Sequence, residues 1–325
     1  MPSSTPTSPG SPTSPAELTV ERDGVPLAVR DHGGAGTPLL LLHGASRTLA
    51  DWSVAAADLA TDHRVVSMDL RAHGRSGPGS TPWAFPAVLD DIEAVLDACG
   101  IPEAVPVGHS LGGMAAALYA DAHPHTPAAV NLDGVGHGRP EQYMGLDRDT
   151  VVQGLDRAHQ FSAAAMGRTF PPEELETTVL AQQTAMAQAL GIAPEVLDEG
   201  IRRALGETPE GQLYPRPERE RGLEMLDQMD ALDLFPVYRR LTRPVLIVRA
   251  GRLVAQGGPL AWFDELMAAY VKGLDRDLGE LAAAHPHITL ETLDASHAML
   301  LERPNAVAGL IRSFTTGTAG LRSRS

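Results

Sequence analysis

Gly108-His109-Ser110-Leu111-Gly112-Gly113 is the stretch on which the fold of this chain turns. It follows a short apolar run, Ala104-Val105-Pro106-Val107, and opens an Ala-rich segment, Gly112 to Ala122, that favours helix. A G-x-S-x-G pattern between a strand and a helix describes a very tight turn. The serine backbone is strained there, and side chains two residues either way would collide. Glycines at 108 and 112 remove both collisions. Ser110 is lifted above the end of its strand, and the helix beneath it supplies a partial positive charge and the free N–H of Leu111. A serine so placed is a candidate nucleophile, because an oxyanion formed beside it already has a donor. Pro106 is awkward, since proline removes one hydrogen bond from the strand ladder.

Outward from this turn, strand-like and helix-like stretches alternate. Towards the N-terminus, the segments flanking Asp23-Gly24 read as a hairpin. Pro38 to Leu42 is a short apolar run with the character of a buried parallel strand, as is Arg64 to Met68. Trp52 to Ala60 looks helical. Asp90 to Ala98 is an amphipathic helix stopped by Gly100 and Pro102. Ala128 to Leu132 is the next strand. From Gly138 to Phe235 the alternation stops, and the chain is polar, helical and rich in Gln, Glu, Met and Ala. Pro244 to Arg249 then resumes the strand pattern. A long helix follows from Pro259 to about Ala284, then a strand at Ile288 to Leu293 and a helix at Ala306 to Phe314. Alternation of this kind implies a mostly parallel sheet with helices on both faces, an α/β fold. The interruption is far longer than a loop and must be a lid or a second domain. The expected organisation is a Pro/Ser/Thr-rich disordered tail at 1–16, a core at 17–138 and 236–315, a helical cap at 139–235 and a frayed end at 316–325.

Composition narrows the class of function. Lys plus Arg is 26 and Asp plus Glu 41, a formal net charge of −15. Such a surface repels phosphate backbones and anionic lipids, so neither nucleic acid nor a membrane is an expected partner. Aromatic residues are only 4%, so the core must be aliphatic, built from Ala, Leu and Val. One cysteine, Cys99, rules out an internal disulfide and reads as a small apolar residue at a helix end. No apolar stretch of about 18 residues is present for a membrane span, and the N-terminal tail lacks the apolar stretch of a signal peptide. The expected location is therefore cytoplasmic. The expected partner is a small-molecule substrate, and a homodimer is compatible with the composition. No cofactor is expected, since no cluster has zinc spacing and no glycine-rich loop could cradle a phosphate.

Four stretches together resemble the α/β-hydrolase superfamily, in particular its serine-nucleophile, lid-bearing bacterial esterases, lactonases and C–C hydrolases. They are Leu41-Leu-His-Gly44, Asp69-Leu-Arg-Ala-His-Gly-Arg-Ser76, Gly108 to Gly113, and Asp294-Ala-Ser-His-Ala-Met-Leu-Leu-Glu-Arg-Pro304. The resemblance covers residues 17–315 apart from the 139–235 segment. It implies a mostly parallel eight-stranded sheet with a helical cap. Epoxide hydrolases and haloalkane dehalogenases are set aside, because they need a carboxylate nucleophile where this chain has Ser110.

The resemblance also implies roles. Ser110 needs a base. His297 follows the last strand and lies C-terminal to the serine, as this fold's chain order demands. Among 12 histidines it is the candidate, against the alternative of a solvated loop residue. The Leu111 and Ala45 N–H groups would form the oxyanion hole. His43 and His73 are expected to shape their turns. His109, inside the turn, and His137, beside it, are candidate substrate contacts. The acid departs from the family pattern: after the strand ending at Arg249 the sequence reads Gly251-Arg-Leu-Val254, with valine where an aspartate is usual. Asp133, at the end of the preceding strand, is the choice, since haloalkane dehalogenases place their acid there; its alternative is a turn cap. Asp294 is the runner-up, Asp69 is expected to hold its own turn, and a site without an acid stays open.

The expected activity is hydrolysis of a carboxylic ester, lactone or thioester of a small, partly apolar molecule through an acyl-enzyme. An acyl transferase or cyclase, and a non-catalytic ligand-binding member of the fold, are the alternatives. The lid suggests an enclosed apolar site, with Met144, Phe161, Met166, Phe170, Met186, Leu190 and Met225 either lining it or filling the core. Trp52 and Trp83 are expected to be packing residues.

Overall fold

A computed structural model describes residues 15–189, 191–192 and 194–322. Ten strands are present: β1 (Ala16–Arg22), β2 (Val25–Gly33), β3 (Pro38–Leu42), β4 (Arg64–Met68), β5 (Val105–His109), β6 (Ala129–Leu132), β7 (Leu205–Glu207), β8 (Leu213–Pro215), β9 (Val245–Ala250) and β10 (Ile288–Leu293). The helices are α1 (Ser53–Leu59), α2 (Phe85–Ala98), α3 (Leu111–Ala122), α4 (Arg148–Ala165), α5 (Ala181–Ala189), α6 (Pro194–Arg203), α7 (Arg219–Ala231), α8 (Phe235–Arg240), α9 (Ala261–Ala284), α10 (Met299–Glu302) and α11 (Pro304–Arg322).

Eight strands form one sheet in the order β1-β2-β4-β3-β5-β6-β9-β10. The hairpin β1–β2 and the pair β2–β4 are antiparallel, and the rest of the sheet is parallel. The expected hairpin closes at Asp23 and Gly24, both at positive φ (49° and 76°). Chain order reverses between β3 and β5, so the loops after these two strands diverge and leave a crevice at the carboxyl edge. Ser110 stands at that point. Pro106 is accommodated because it sits ahead of the ladder to β6, which begins at Val107.

Burial explains the continuous apolar runs. Leu40 and Leu42 join the core on one face, with helices α2, α3, α8 and α9; Leu39 and Leu41 join the core on the other, with α1 and α11. A strand covered on both faces needs apolar residues at every position. Each of these leucines is fully buried, which contributes about 2 kcal/mol apiece by transfer from water. Trp52 and Trp83 are core residues, as expected. Cys99 caps α2, and burial pushes its thiol pKa up, which leaves it unreactive.

The segment between β6 and α8 is not wholly helical. Gly206, Pro209 and Gly211 break the pattern, and β7 pairs with β8 as a small antiparallel hairpin. The segment is fastened to the core by arginines. Arg203 of α6 makes a buried ion pair with Asp69 at 2.7 Å and reaches Glu17 at 2.9 Å. Glu199 pairs with Arg30, and Arg216 donates to the carbonyls of Gly74 and Ser76.

At the C-terminus, where a frayed end is expected at 316–325, α11 runs to Arg322. Thr315, bonded to Ile311 O and to buried His63, anchors its last turns. At the other end β1 begins at Ala16, the last residue of the expected tail; residues 1–14 lie outside the described residues, as do 323–325.

Candidate active site

The tight turn is built as the glycine spacing requires. Ser110 lies at φ 53°, ψ −119°, a conformation side chains rarely adopt. A Cβ on Gly108 would sit 1.9 Å from Gly112 O, and one on Gly112 would sit 2.4 Å from Leu42 O. Only glycine lets β5, α3 and the end of β3 approach this closely. The loop after β3 crosses the turn: a Cβ on Gly44 would lie 3.2 Å from Ser110 Cβ. Ala45 is the next residue, and its N–H has no protein acceptor among the described residues. Leu111 opens α3, where a first-turn N–H has no intrahelical partner. The two expected oxyanion donors are thus both at hand.

His43 fixes the shape of that loop. Its Nε2 accepts the N–H of Leu70 at 3.0 Å, so Nδ1 carries the proton and donates to Gly44 O at 2.7 Å. Burial holds its pKa down to about 3, so it stays neutral. His73 is likewise buried, its pKa down to about 3 through burial and neighbouring His43, and it bonds to Arg71 O. Asp69 accepts the N–H groups of Leu49 and Arg75 and holds its own turn. None of these three faces the chemistry.

His297 and Asp133 do meet. Nδ1 of His297 lies 2.7 Å from Oδ2 of Asp133, while the other carboxylate oxygen accepts the N–H of Ala250 at 2.9 Å. Burial opposes ionisation of Asp133, but the bond to His297, its charge and the Ala250 N–H outweigh it and hold the carboxyl pKa below the ordinary value. The carboxylate therefore stays charged, and the imidazole proton sits on Nδ1. Asp294 is 84% exposed in its side chain and pairs with Arg252 instead. Asn131 supports the acid: its amide donates to Gly134 O and to Tyr238 Oη, and its oxygen accepts the N–H of Gly134. That brace holds the turn in which Asp133 takes φ 54°. Sequence reasoning missed Asn131; its place on β6, two residues before the acid, was the available signal.

The imidazole has a side chain 58% exposed. Among the described residues, no hydrogen bond engages Ser110 Oγ. Ser110 and His297 stand at one edge of the sheet, with no hydrogen bond between them among the described residues.

Two expected substrate contacts part company. His137 is accessible beside the site and lies against Tyr270, with ring centroids 4.6 Å apart and the rings tilted by 49°. Surrounding protein and nearby His297 hold its pKa below the usual value. His109 is only 6% exposed, and its Nε2 lies 2.7 Å from the carbonyl oxygen of His297. The position beside the nucleophile points its side chain beneath the His297 loop, not into solvent.

The apolar residues expected to line a pocket or fill the core are divided between core and exposed surface. Met225 is core, and Met166 packs against that core; Phe161 is 61% exposed and Met144 is exposed. The side chain of Met186 and all of Leu190 lie outside the described residues. Exposed Leu253 and Val254 occupy the loop after β9. Among the described residues, no group of His, Cys, Asp and Glu could hold a metal ion, and no helix is long and apolar enough to cross a membrane.

Comparison with known proteins places this geometry. A sequence model described as the alpha/beta hydrolase fold matches residues 37–304. An esterase of Escherichia coli (strain K12) is 38% identical over 98 residues, 30% of this chain and 38% of that protein. A fluoroacetate dehalogenase of Burkholderia sp is 30% identical over 176 residues, 44% of this chain and 57% of that protein. This chain therefore spans less than two thirds of the length of either relative. Among solved structures, an E-2-(acetamidomethylene)succinate hydrolase superposes with a TM-score of 0.69 at 22% identity, over 93% of this chain and 99% of that one. At that identity the likeness is one of fold.

Proposed function

This chain belongs to the α/β-hydrolase family, and we propose that within it the protein is a serine hydrolase. Its substrate is a carboxylic ester, lactone or thioester of a small, partly apolar molecule, cleaved through an acyl-enzyme. The observation that carries this reading is the 2.7 Å bond between His297 Nδ1 and Asp133 Oδ2. It fixes the tautomer and leaves Nε2 bare to take a proton.

The reaction follows from these groups. Rotation of the Ser110 side chain closes its bond to His297 when substrate binds. Nε2 takes the hydroxyl proton as Oγ attacks the acyl carbonyl. The N–H groups of Leu111 and Ala45 hold the oxyanion. The carbonyl reforms, the bond to the leaving group breaks, and His297 returns the proton to that group. Water then attacks the acyl-enzyme by the same route, releasing the acid and free Ser110. Asp133 keeps the imidazolium charged and oriented in both halves.

The open imidazole supports water as the acyl acceptor over transfer to a second substrate, which needs water excluded. Exposed Leu253 and Val254 support an apolar group on the substrate. The acidic surface supports a small-molecule partner over nucleic acid or anionic lipid, and cytoplasmic placement remains part of this reading. A panel of chromogenic short-chain esters tests it with wild type and Ser110→Ala. Turnover by wild type alone supports the assignment; equal turnover by both removes it.

A further inference from the structure

The imidazole of His297 has more than half its surface in solvent and a single side-chain hydrogen bond, to Asp133. A side chain so exposed on a loop has wide conformational freedom, yet a general base must sit within hydrogen-bond reach of its proton. The main chain of the loop supplies the missing restraint. Ala295 O accepts the N–H of Arg252 at 3.0 Å. Ser296 N–H donates to Glu302 Oε2 at 3.2 Å, and the Ser296 hydroxyl donates to the other oxygen of Glu302. His297 O faces His109 Nε2 at 2.7 Å. Ala298 N–H donates to Ser296 Oγ at 3.1 Å. Four consecutive residues are each held by a bond.

We infer that His109 and Glu302 are positioning residues that pin the backbone of the His297 loop, and that His109 is not a substrate contact. The inference rests on reading Ser110, His297 and Asp133 as one catalytic set.

The chemistry of His109 supports it. Burial, with the neighbouring His297, holds its pKa down to about 3, so the ring carries one proton. A carbonyl oxygen only accepts, so that proton is on Nε2. Nδ1 is then a bare acceptor, buried with no partner among the described residues. A residue present only to fill space would avoid that orphan; leucine would fill it without one. The polar ring is explained by its single bond, to the carbonyl of the base itself. The rings of His109 and His297 lie 4.7 Å apart, so one also sets the height of the other. Glu302 does the matching work from α10. Its side chain is 1% exposed, and its charge is balanced by Arg252 Nη2 at 2.5 Å. The loop after β9, which bears Arg252, is thereby tied to the loop that bears the base.

The test is the rate at which a fluorophosphonate labels Ser110, with kcat and KM on a chromogenic ester and melting temperature for each variant. His109→Leu is expected to label about 10- to 100-fold more slowly with KM unchanged, and to change the melting temperature little, since the orphaned Nδ1 is gone while the His297 carbonyl loses its donor. His109→Gln keeps a donor near Nε2 and is expected to restore most of the rate. Glu302→Gln keeps one acceptor for Ser296 but loses the charge facing Arg252, and slows labelling with KM unchanged. Wild-type labelling rates in His109→Leu overturn the inference. If His109→Leu does not fold, Glu302→Gln decides, and wild-type rates there overturn it. If wild type itself is not labelled, the serine-hydrolase reading fails and the inference falls with it, a result distinct from the other two.

Discussion

His297 Nδ1 and Asp133 Oδ2 lie 2.7 Å apart across 164 residues of sequence. The carboxylate comes from the end of β6, not from the loop after β9. These strands are neighbours in the sheet, so the displacement is one strand spacing, about 4.8 Å. Asp133 also takes up the N–H of Ala250, the last residue of β9, and so reaches over the end of the strand whose following loop carries Val254.

Asp133→Asn is expected to lower kcat by about 10⁴ while leaving the fold intact. An amide can still accept the Ala250 N–H, and asparagine tolerates the positive φ at this position. Asp294→Asn, at an exposed side chain paired only with Arg252, should change kcat little. Steady-state kinetics of both variants checks the pair; equal effects would mean that the acid is misassigned.

Strain in the tight turn gives a second expectation. Ser110 at φ 53° stores about 1–3 kcal/mol that glycine would not. Ser110→Gly should therefore be inactive yet melt above Ser110→Ala, by the equivalent of about 1 kcal/mol once the extra freedom of glycine in the unfolded chain is counted. Calorimetry of the two variants measures this directly. Equal melting temperatures would show a relaxed turn.

Acid stability follows from the buried histidines. His32 is held down to about 4 by burial and Arg30, and His43, His73 and His109 to about 3, against an unfolded value near 6.5. All four folded values are depressed, so the unfolded chain takes up protons first. The stability these groups confer is complete above about pH 6.5 and is lost as pH falls towards 3–4. Each proton costs about 1.4 kcal/mol per pH unit in that window. Melting temperature measured from pH 7 to pH 4.5 should fall steeply; a flat profile would contradict the neutral, buried state of these rings.

The fastening of the α4–α7 segment can be tested at one side chain. Arg203→Met leaves Asp69 without its buried cation and should cost about 3–5 kcal/mol. Arg202→Met, one residue away but with its ion pairs exposed, should leave stability nearly unchanged. Urea titration of the two separates a buried latch from surface charge.

Much of this was legible in the residues. The strand run Pro38–Leu42 coincides with the structure, because a strand buried on both faces leaves an unbroken apolar run, whereas Ile288–Leu293 at the sheet edge keeps polar residues among its apolar ones. The nucleophile turn was legible because close backbone approach demands glycine at fixed spacing. Asp133 was singled out because no carboxylate follows Arg249 and because it ends the preceding strand. What could not be read depends on contacts distant in sequence. His109 looks like a cleft residue until the His297 carbonyl is found above it. Asn131 is tied to Tyr238 across 107 residues, and Glu302 to Arg252 across 50.

The most direct measurement is the mass of the enzyme quenched during turnover of an activated ester. The account predicts an acyl group on the peptide containing Ser110 in wild type, accumulating as a burst of leaving group no larger than the enzyme concentration, and neither signal in Ser110→Ala. Turnover with no adduct, or an adduct on any other residue, would contradict it.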